Sequence, residues 1–173
     1  MTYKTHINGG LLVGLLITSQ INNRLIIPTA VIIGGSVIGS LLPDIDHTKS
    51  YIGKRIKPVS KVVNKLAGHR KLFHAPLIYL FLYAICIGYD FDKITLLFIQ
   101  GIFSGILSHL ILDSLTIGGL PWFYPFSKKK FSFAKIKTNS QFEYGFCSVL
   151  ICLNFAILLD ILNITKIFTF IKH

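Results

Sequence analysis

The sequence predicts an all-α protein, a polytopic helical membrane bundle with about five membrane-associated helices. Two observations point to this fold class: 52% of the 173 residues are hydrophobic, and only 14% are charged. A soluble domain of this length carries roughly a quarter of charged residues. The apolar residues also gather in long runs, as they do in membrane-spanning helices. We therefore expect a single membrane-embedded domain over residues 1–173.

Five apolar segments account for the predicted helices. They run from about Gly9 to Ile21, from Leu25 to Leu42, from Ala75 to Tyr89, from Ile94 to Ile117, and from Tyr144 to Ile164 or on toward Ile171. The first segment is short for a span, so it and the second form a predicted hairpin whose first arm is tilted, partial or re-entrant. Gly35-x-x-x-Gly39 and Gly101-x-x-x-Gly105 predict close helix contacts of the second and fourth segments.

The net charge of +11 indicates which side of the membrane the loops face. Nucleic-acid binding and attraction to an anionic cytoplasmic leaflet both explain such an excess. The long apolar runs favour the second explanation, and no specific nucleic-acid partner is expected. The 43–74 and 118–144 loops hold eight and five lysines and arginines, whereas the turns opposite hold only Arg24 and Lys93. The positive-inside rule therefore places both long loops in the cytoplasm, in a multi-pass protein of the cell membrane.

The candidate metal ligands lie at the cytoplasmic ends of these segments. They are His6, Asp44, His47, His69, His74, His109 and Asp113, with Asp46 in the same Pro-Asp-Ile-Asp-His turn. His109 and Asp113 are four residues apart, so on a helix they share a face and can bind one ion or two adjacent ions. His69 and His74 are five apart, and at least one is expected off the helix. The N-terminal segment is expected to be retained rather than cleaved, because cleavage would remove His6.

Each of these residues alone has a simpler explanation. Isolated interfacial histidines are usually solvated, and Asp44 and Asp46 fit a helix cap and a turn. Their gathering on one side favours a metal site, because the short turn on the opposite side offers only Asp90 and Asp92. Nitrogen and oxygen ligands favour zinc foremost, with manganese or iron as alternatives, and the number of candidates favours more than one ion. Glu143 is read as a first-turn helix charge, ahead of a ligand or general base.

These residues together resemble the YdjM-type membrane-bound predicted metal-dependent hydrolases. The resemblance covers most of the chain and rests on these pieces in order: Thr5-His6, Leu41-Leu42-Pro43-Asp44-Ile45-Asp46-His47 with Ser50, His69-Arg70 with His74, Gly105-Ile106-Leu107-Ser108-His109 with Asp113, Thr116, Gly118, and Tyr124-Pro125-Phe126-Ser127. The pattern is also similar to the zinc-dependent phospholipase C and single-strand nuclease group. That likeness implies a ligand pair at His109 and Asp113, completed by His6, Asp44, His69 and His74.

The resemblance implies metal-dependent hydrolysis of an ester, with a phosphoester favoured. A site at the membrane surface beside cationic loops suits an anionic, lipid-like substrate, and Arg70 and Lys71 are the candidates for binding it. Asp44 or Asp46 is expected to act as general base or as bridging ligand. The alternative is a non-enzymatic membrane protein with a structural metal site, whose basic 43–74 loop docks a protein or nucleic acid.

Overall fold

The computed structural model describes residues 1–21, 26–67 and 72–162, and helices dominate these ranges. Its α-helices are α1 (Tyr3–Ser19), α2 (Ile26–Gly39), α3 (Lys57–Ala67), α4 (Pro76–Ile87), α5 (Lys93–Ser114) and α6 (Gln141–Ile161). Two short 3-10 helices, η1 (Leu42–Asp46) and η2 (Leu72–His74), lie before α3 and before α4. Within the described ranges, extended pairing is limited to two isolated bridges in the loop between α5 and α6. The predicted all-α fold class is confirmed.

Three helical stretches are long and apolar enough to cross a membrane: Ile26–Asp46, Lys93–Ser114 and Gln141–Ile161. The apolar helix α4 is shorter. Together with α1 these elements correspond to the five predicted segments, and the chain is a helical membrane bundle. The predicted break at residues 22–24 and the predicted extension toward Ile171 lie outside the described residues.

Two helix starts differ from the sequence prediction. The helix α1 begins at Tyr3, well before Gly9, so that His6 lies within it. The helix α6 begins at Gln141 rather than near Tyr144, because the hydroxyl of Ser140 caps it by accepting a hydrogen bond from the Glu143 amide. Hydropathy marks the apolar core of a helix, whereas polar first turns depend on capping and on tertiary contacts.

The helix α3 was not predicted at all. Its lysines Lys57, Lys61 and Lys65 are exposed, and the sequence pattern reads as the basic charge of a cytoplasmic loop. In the structure Asn64 donates a hydrogen bond of 2.6 Å to the carbonyl oxygen of Asp46, which fastens α3 to η1. The basic loop therefore has a regular structure, and one of its polar side chains holds the turn that carries the paired aspartates.

The glycines of α2 and α5 bring the two helix backbones into contact, as predicted. A Cβ atom on Gly39 would lie 2.0 Å from the carbonyl oxygen of Ile102, and one on Gly105 would lie 2.0 Å from the carbonyl oxygen of Ser36. Both distances are far shorter than any real carbon–oxygen contact. Only glycine therefore permits this helix separation, which also sets how closely Ser40 approaches α5.

Replacing Gly39 by alanine is expected to destabilise the bundle, since the added methyl group meets backbone that cannot rotate away. The overpacking should cost about 2 kcal/mol or more of unfolding free energy. Gly34→Ala is the matched control, because a Cβ atom at Gly34 meets nothing within 4 Å on the same helix. Thermal unfolding in detergent measures both variants. Equal melting temperatures would contradict the close α2–α5 contact.

Candidate metal centre

Five of the predicted ligands come together from four separate parts of the chain. His6 lies on α1, Asp44 in η1, His74 in η2, and His109 and Asp113 on α5. The side chains of all but Asp44 are almost completely buried, and that of Asp44 is 20% exposed. The cluster is thus enclosed by helices and reaches solvent on the Asp44 side.

Asp113 lies at the centre of the cluster, with its two oxygens facing different histidines. Its Oδ1 is 3.2 Å from Nε2 of His6, while its Oδ2 is 3.8 Å from Nε2 of His109 and 3.9 Å from Nε2 of His74. Oδ1 also accepts a hydrogen bond from the amino group of Met1. The two longer distances exceed hydrogen-bond range. Ligands bound 2.0–2.2 Å from a common ion can, however, be separated by this much.

Two overlapping groups have the composition and spacing of a metal site. One comprises His6, His109 and Asp113, and the other comprises Asp44, His74 and His109. Within each group the donor atoms lie no more than 4.8 Å apart. The rings of His6 and His109 also stack, with centroids 3.7 Å apart. Such crowding of imidazoles and carboxylates in an apolar bundle is costly unless cations lie among them, and the Met1 amino group at Oδ1 of Asp113 is one such cation.

The orientation of His109 fits a metal ligand. Its Nδ1 lies 2.7 Å from the carbonyl oxygen of Ser40, and this contact assigns the ring proton to Nδ1. Nε2 is then an acceptor, and it is buried with no hydrogen-bond partner among the described residues. Leaving such an atom unsatisfied costs about 1–3 kcal/mol. A metal ion at Nε2 would offset that cost, and the donor set of nitrogen and oxygen atoms fits zinc.

The structure separates the positions of Asp44 and Asp46, which the sequence did not. Oδ1 of Asp44 is 3.9 Å from Nε2 of His74, whereas Oδ2 of Asp46 is 3.4 Å from Nδ1 of the same ring. The two carboxylates therefore lie beside opposite edges of one imidazole. A buried carboxylate at the far nitrogen of a histidine is the usual device for orienting a metal ligand.

The turn that carries these aspartates is held by its own hydrogen bonds. Pro43 occupies the first turn of η1. The hydroxyl of Ser50 donates to the carbonyl oxygen of Asp44 at 2.7 Å and accepts from the Gly53 amide at 2.9 Å. His47 follows η1 in an extended conformation and is half-buried. Among the described residues, His47 belongs to neither ligand group.

Glu143 anchors the N-terminal segment rather than joining the ligand groups. Its carboxylate is fully buried in the first turn of α6. Oε1 accepts hydrogen bonds from the Thr2 amide and, at 2.8 Å, from the Thr5 hydroxyl, while Oε2 accepts from the Asn139 amide at 2.6 Å. The position in the first turn is the predicted one. The contact with Thr5 fixes the residue immediately before His6.

Three predicted site residues, His69, Arg70 and Lys71, lie outside the described residues, and their roles remain predictions. Two groups that position the site residues were not predicted from the sequence. The Ser40 carbonyl carries no residue-type signal, although the glycine that precedes it marks a close helix approach. The role of Glu143 depends on a partner 138 residues away, which a single sequence does not reveal.

The fold and the site define a class: a helical membrane protein with a buried histidine–aspartate cluster that could hold a metal ion. The chain belongs to the YdjM inner membrane protein family, whose profile matches residues 1–169. It is 38% identical to the Bacillus subtilis protein YvsG over 125 residues, which are 72% of this chain and 74% of that protein. It is 35% identical to the inner membrane protein YdjM of Escherichia coli and to that of Shigella flexneri over 99 residues, 54% of this chain and 49% of each relative. The matched region thus spans about half the length of those two relatives. No solved structure matches the chain.

Proposed function

We propose that this protein is a membrane-bound, metal-dependent hydrolase that cleaves an anionic, lipid-like phosphoester at the cytoplasmic face of the cell membrane. The observation that carries the proposal is the convergence of three histidines with Asp44 and Asp113 in two overlapping groups, with solvent access at Asp44. A structural metal site is closed by protein ligands, whereas a catalytic site keeps an open side. The part-exposed Asp44 supplies that open side.

His6, His74, His109 and Asp113 are the proposed ligands, with Asp44 as a further ligand or as the general base. When bound, a divalent ion supplies Lewis acidity that activates water and offsets the charge on a phosphoryl oxygen. With Nδ1 bound to the Ser40 carbonyl, His109 offers one nitrogen only, so the two ligand groups compete for it. If the site held more than one ion, Asp113 would be the residue able to serve both, because its two oxygens face different histidines.

The two aspartates of η1 receive different roles. Asp44 faces the open side, where its carboxylate, if it is not a ligand, would act as general base and accept a proton from water. Asp46 is a positioning residue that holds Nδ1 of His74, so that Nε2 points toward Asp113. The substrate phosphate is attracted by the basic 43–74 and 118–144 loops, in which Lys128, Lys129 and Lys130 are exposed. Arg70 and Lys71 complete this proposed binding surface.

The test is metal content together with turnover. Protein extracted in mild detergent should hold stoichiometric zinc, manganese or iron, and should hydrolyse at least one member of a panel of lipid phosphoesters and phosphodiesters. Removal of the metal by a chelator should abolish turnover, and addition of zinc should restore it. Protein without bound metal, or turnover that is insensitive to chelation, would overturn the proposal.

A second function is favoured by α3, which exposes Val59 and Val62 beside its lysines. A basic, amphipathic helix of this kind suits an anionic bilayer surface or an acidic partner. In this second function the metal is structural and the loop docks the partner. The same measurements distinguish this second function from the hydrolase. A structural metal predicts bound metal, no ester turnover over the whole panel, and unfolding of the protein when the metal is removed.

A further inference from the structure

An apolar cavity of about 710 Å³ lies between α4 and α5, next to the candidate metal centre. Its lining includes Pro76, Leu80 and Tyr83 from α4 and Gln100, Phe103 and Leu110 from α5. This volume is within the range of small-molecule binding sites in proteins. None of the candidate metal ligands among the described residues lines this cavity, and it is separate from the α2–α5 contacts described above.

The cavity begins beside the ligands and runs away from them along both helices. Pro76 is two residues beyond His74, and Leu110 directly follows His109. From Leu110 to Gln100 the helix α5 rises by about 15 Å, at 1.5 Å per residue. Since α5 is one of the membrane-spanning helices, the cavity extends from the level of the ligands into the hydrocarbon region.

The two helices touch beside this cavity, where the rings of Tyr83 and Phe103 have centroids 5.0 Å apart, but α4 is otherwise loosely covered. None of the twelve residues of α4 is buried. On α4, Leu80 lines the cavity and is nevertheless 65% exposed. The facing residues of α5 are apolar except for Gln100 at the end far from the ligands and Ser104, whose hydroxyl donates to a carbonyl oxygen of its own helix. The cleft thus offers mainly apolar contacts, and the exposed Leu80 leaves it incompletely covered on the side of α4.

The end nearest the ligands carries an unsatisfied polar group. Trp122 lines the cavity there, and its Nε1 is buried without a hydrogen-bond partner among the described residues. The exposed lysines Lys128, Lys129 and Lys130 follow it in the same loop. A ligand that matches this cavity has an oxygen atom to accept a hydrogen bond from Trp122 and a negative charge near the lysines. Its hydrocarbon chain extends along the apolar part of the cavity.

We infer that the α4–α5 cavity binds one hydrocarbon chain of an anionic amphiphile whose phosphate head lies at the His/Asp cluster. The inference rests on the proposed function for the position of the head, and it adds the site that selects the tail. It makes the protein selective for long-chain phosphates over short-chain or inorganic phosphate.

The test measures binding rather than turnover, so that it can fail independently of the proposed function. Trp122 is the only tryptophan, and its fluorescence reports on the cavity. Decyl phosphate carrying bromine on its chain should quench this fluorescence saturably in detergent-solubilised protein. Unbrominated decyl phosphate should reverse the quenching at concentrations at least about tenfold lower than butyl phosphate requires. Inorganic phosphate should have no effect.

Two serine variants separate binding from partitioning into the micelle. Ser104→Phe fills the cavity, whereas Ser148→Phe places the same ring on the exposed face of α6. Both serines donate to a carbonyl oxygen of their own helix, so both variants lose the same type of hydrogen bond. Saturable quenching should disappear in Ser104→Phe and persist in Ser148→Phe. Quenching that rises linearly with the bromide, or is equal in both variants, would overturn the inference.

Discussion

Replacing His109 by asparagine is expected to abolish metal binding and hydrolysis while the bundle stays folded. His109 is the one residue shared by both ligand groups. The asparagine amide can donate to the Ser40 carbonyl in place of Nδ1, but it has no atom where Nε2 lies. Loss of the metal removes several kcal/mol of transition-state stabilisation, which corresponds to a fall in kcat/KM of about a thousandfold or more.

His109→Ala is the companion variant that separates chemistry from packing. It removes both the ligand nitrogen and the donor to the Ser40 carbonyl, and it leaves a cavity in the core of the bundle. It should therefore lose metal like the asparagine variant and should also lose about 1–3 kcal/mol of stability. Metal analysis, turnover and thermal unfolding are measured on both proteins. Retention of stoichiometric metal by His109→Asn would contradict the proposed ligand set.

Asp44→Asn and Asp46→Asn are expected to lower activity by different amounts and to respond differently to added zinc. If Asp44 accepts the proton of water, its loss should lower kcat by about 10²–10⁴-fold, and excess zinc should not restore it. Asparagine at position 46 keeps an acceptor near Nδ1 of His74 but removes the charge. Metal affinity should then fall by about 10–100-fold, and excess zinc should restore most of the activity.

The exposed carboxylate Asp90, in the turn between α4 and α5, gives the matched control. Asp90→Asn removes the same charge far from the ligands and should leave metal affinity and kcat unchanged. Zinc titrations monitored by turnover distinguish the three variants. Rescue of Asp44→Asn by zinc, with no rescue of Asp46→Asn, would reverse the two assigned roles.

The sequence predicted the apolar helices and part of the site because both rest on local patterns. Apolar runs of about twenty residues identify membrane helices whatever their partners. The spacing of His109 and Asp113 places them on one face of any helix that contains them. The glycine pairs likewise identified the surfaces on which α2 and α5 meet.

What the sequence did not predict depends on contacts between distant segments. The separation of Asp44 from Asp46 follows from how η1 meets η2, and a 3-10 turn of five residues has no periodicity to reveal it. The helix α3 was not predicted because its lysines also match the charge pattern expected of a cytoplasmic loop. The cavity beside α4 depends on how loosely that apolar helix packs against α5, and hydropathy alone does not distinguish a loosely packed helix from a buried one.

The hydrogen bonds of Glu143 have a consequence for the order of events during biosynthesis. His6 lies on α1 and is synthesised long before α6, yet Thr5, its neighbour, is held by a carboxylate in the first turn of α6, the last described helix. A nascent chain that ends after α5 already contains His74, His109 and Asp113, but it lacks the contact that seats His6. The contact that seats His6 therefore forms only once the first turn of α6 has been synthesised, so assembly of the proposed ligand set follows synthesis of that helix.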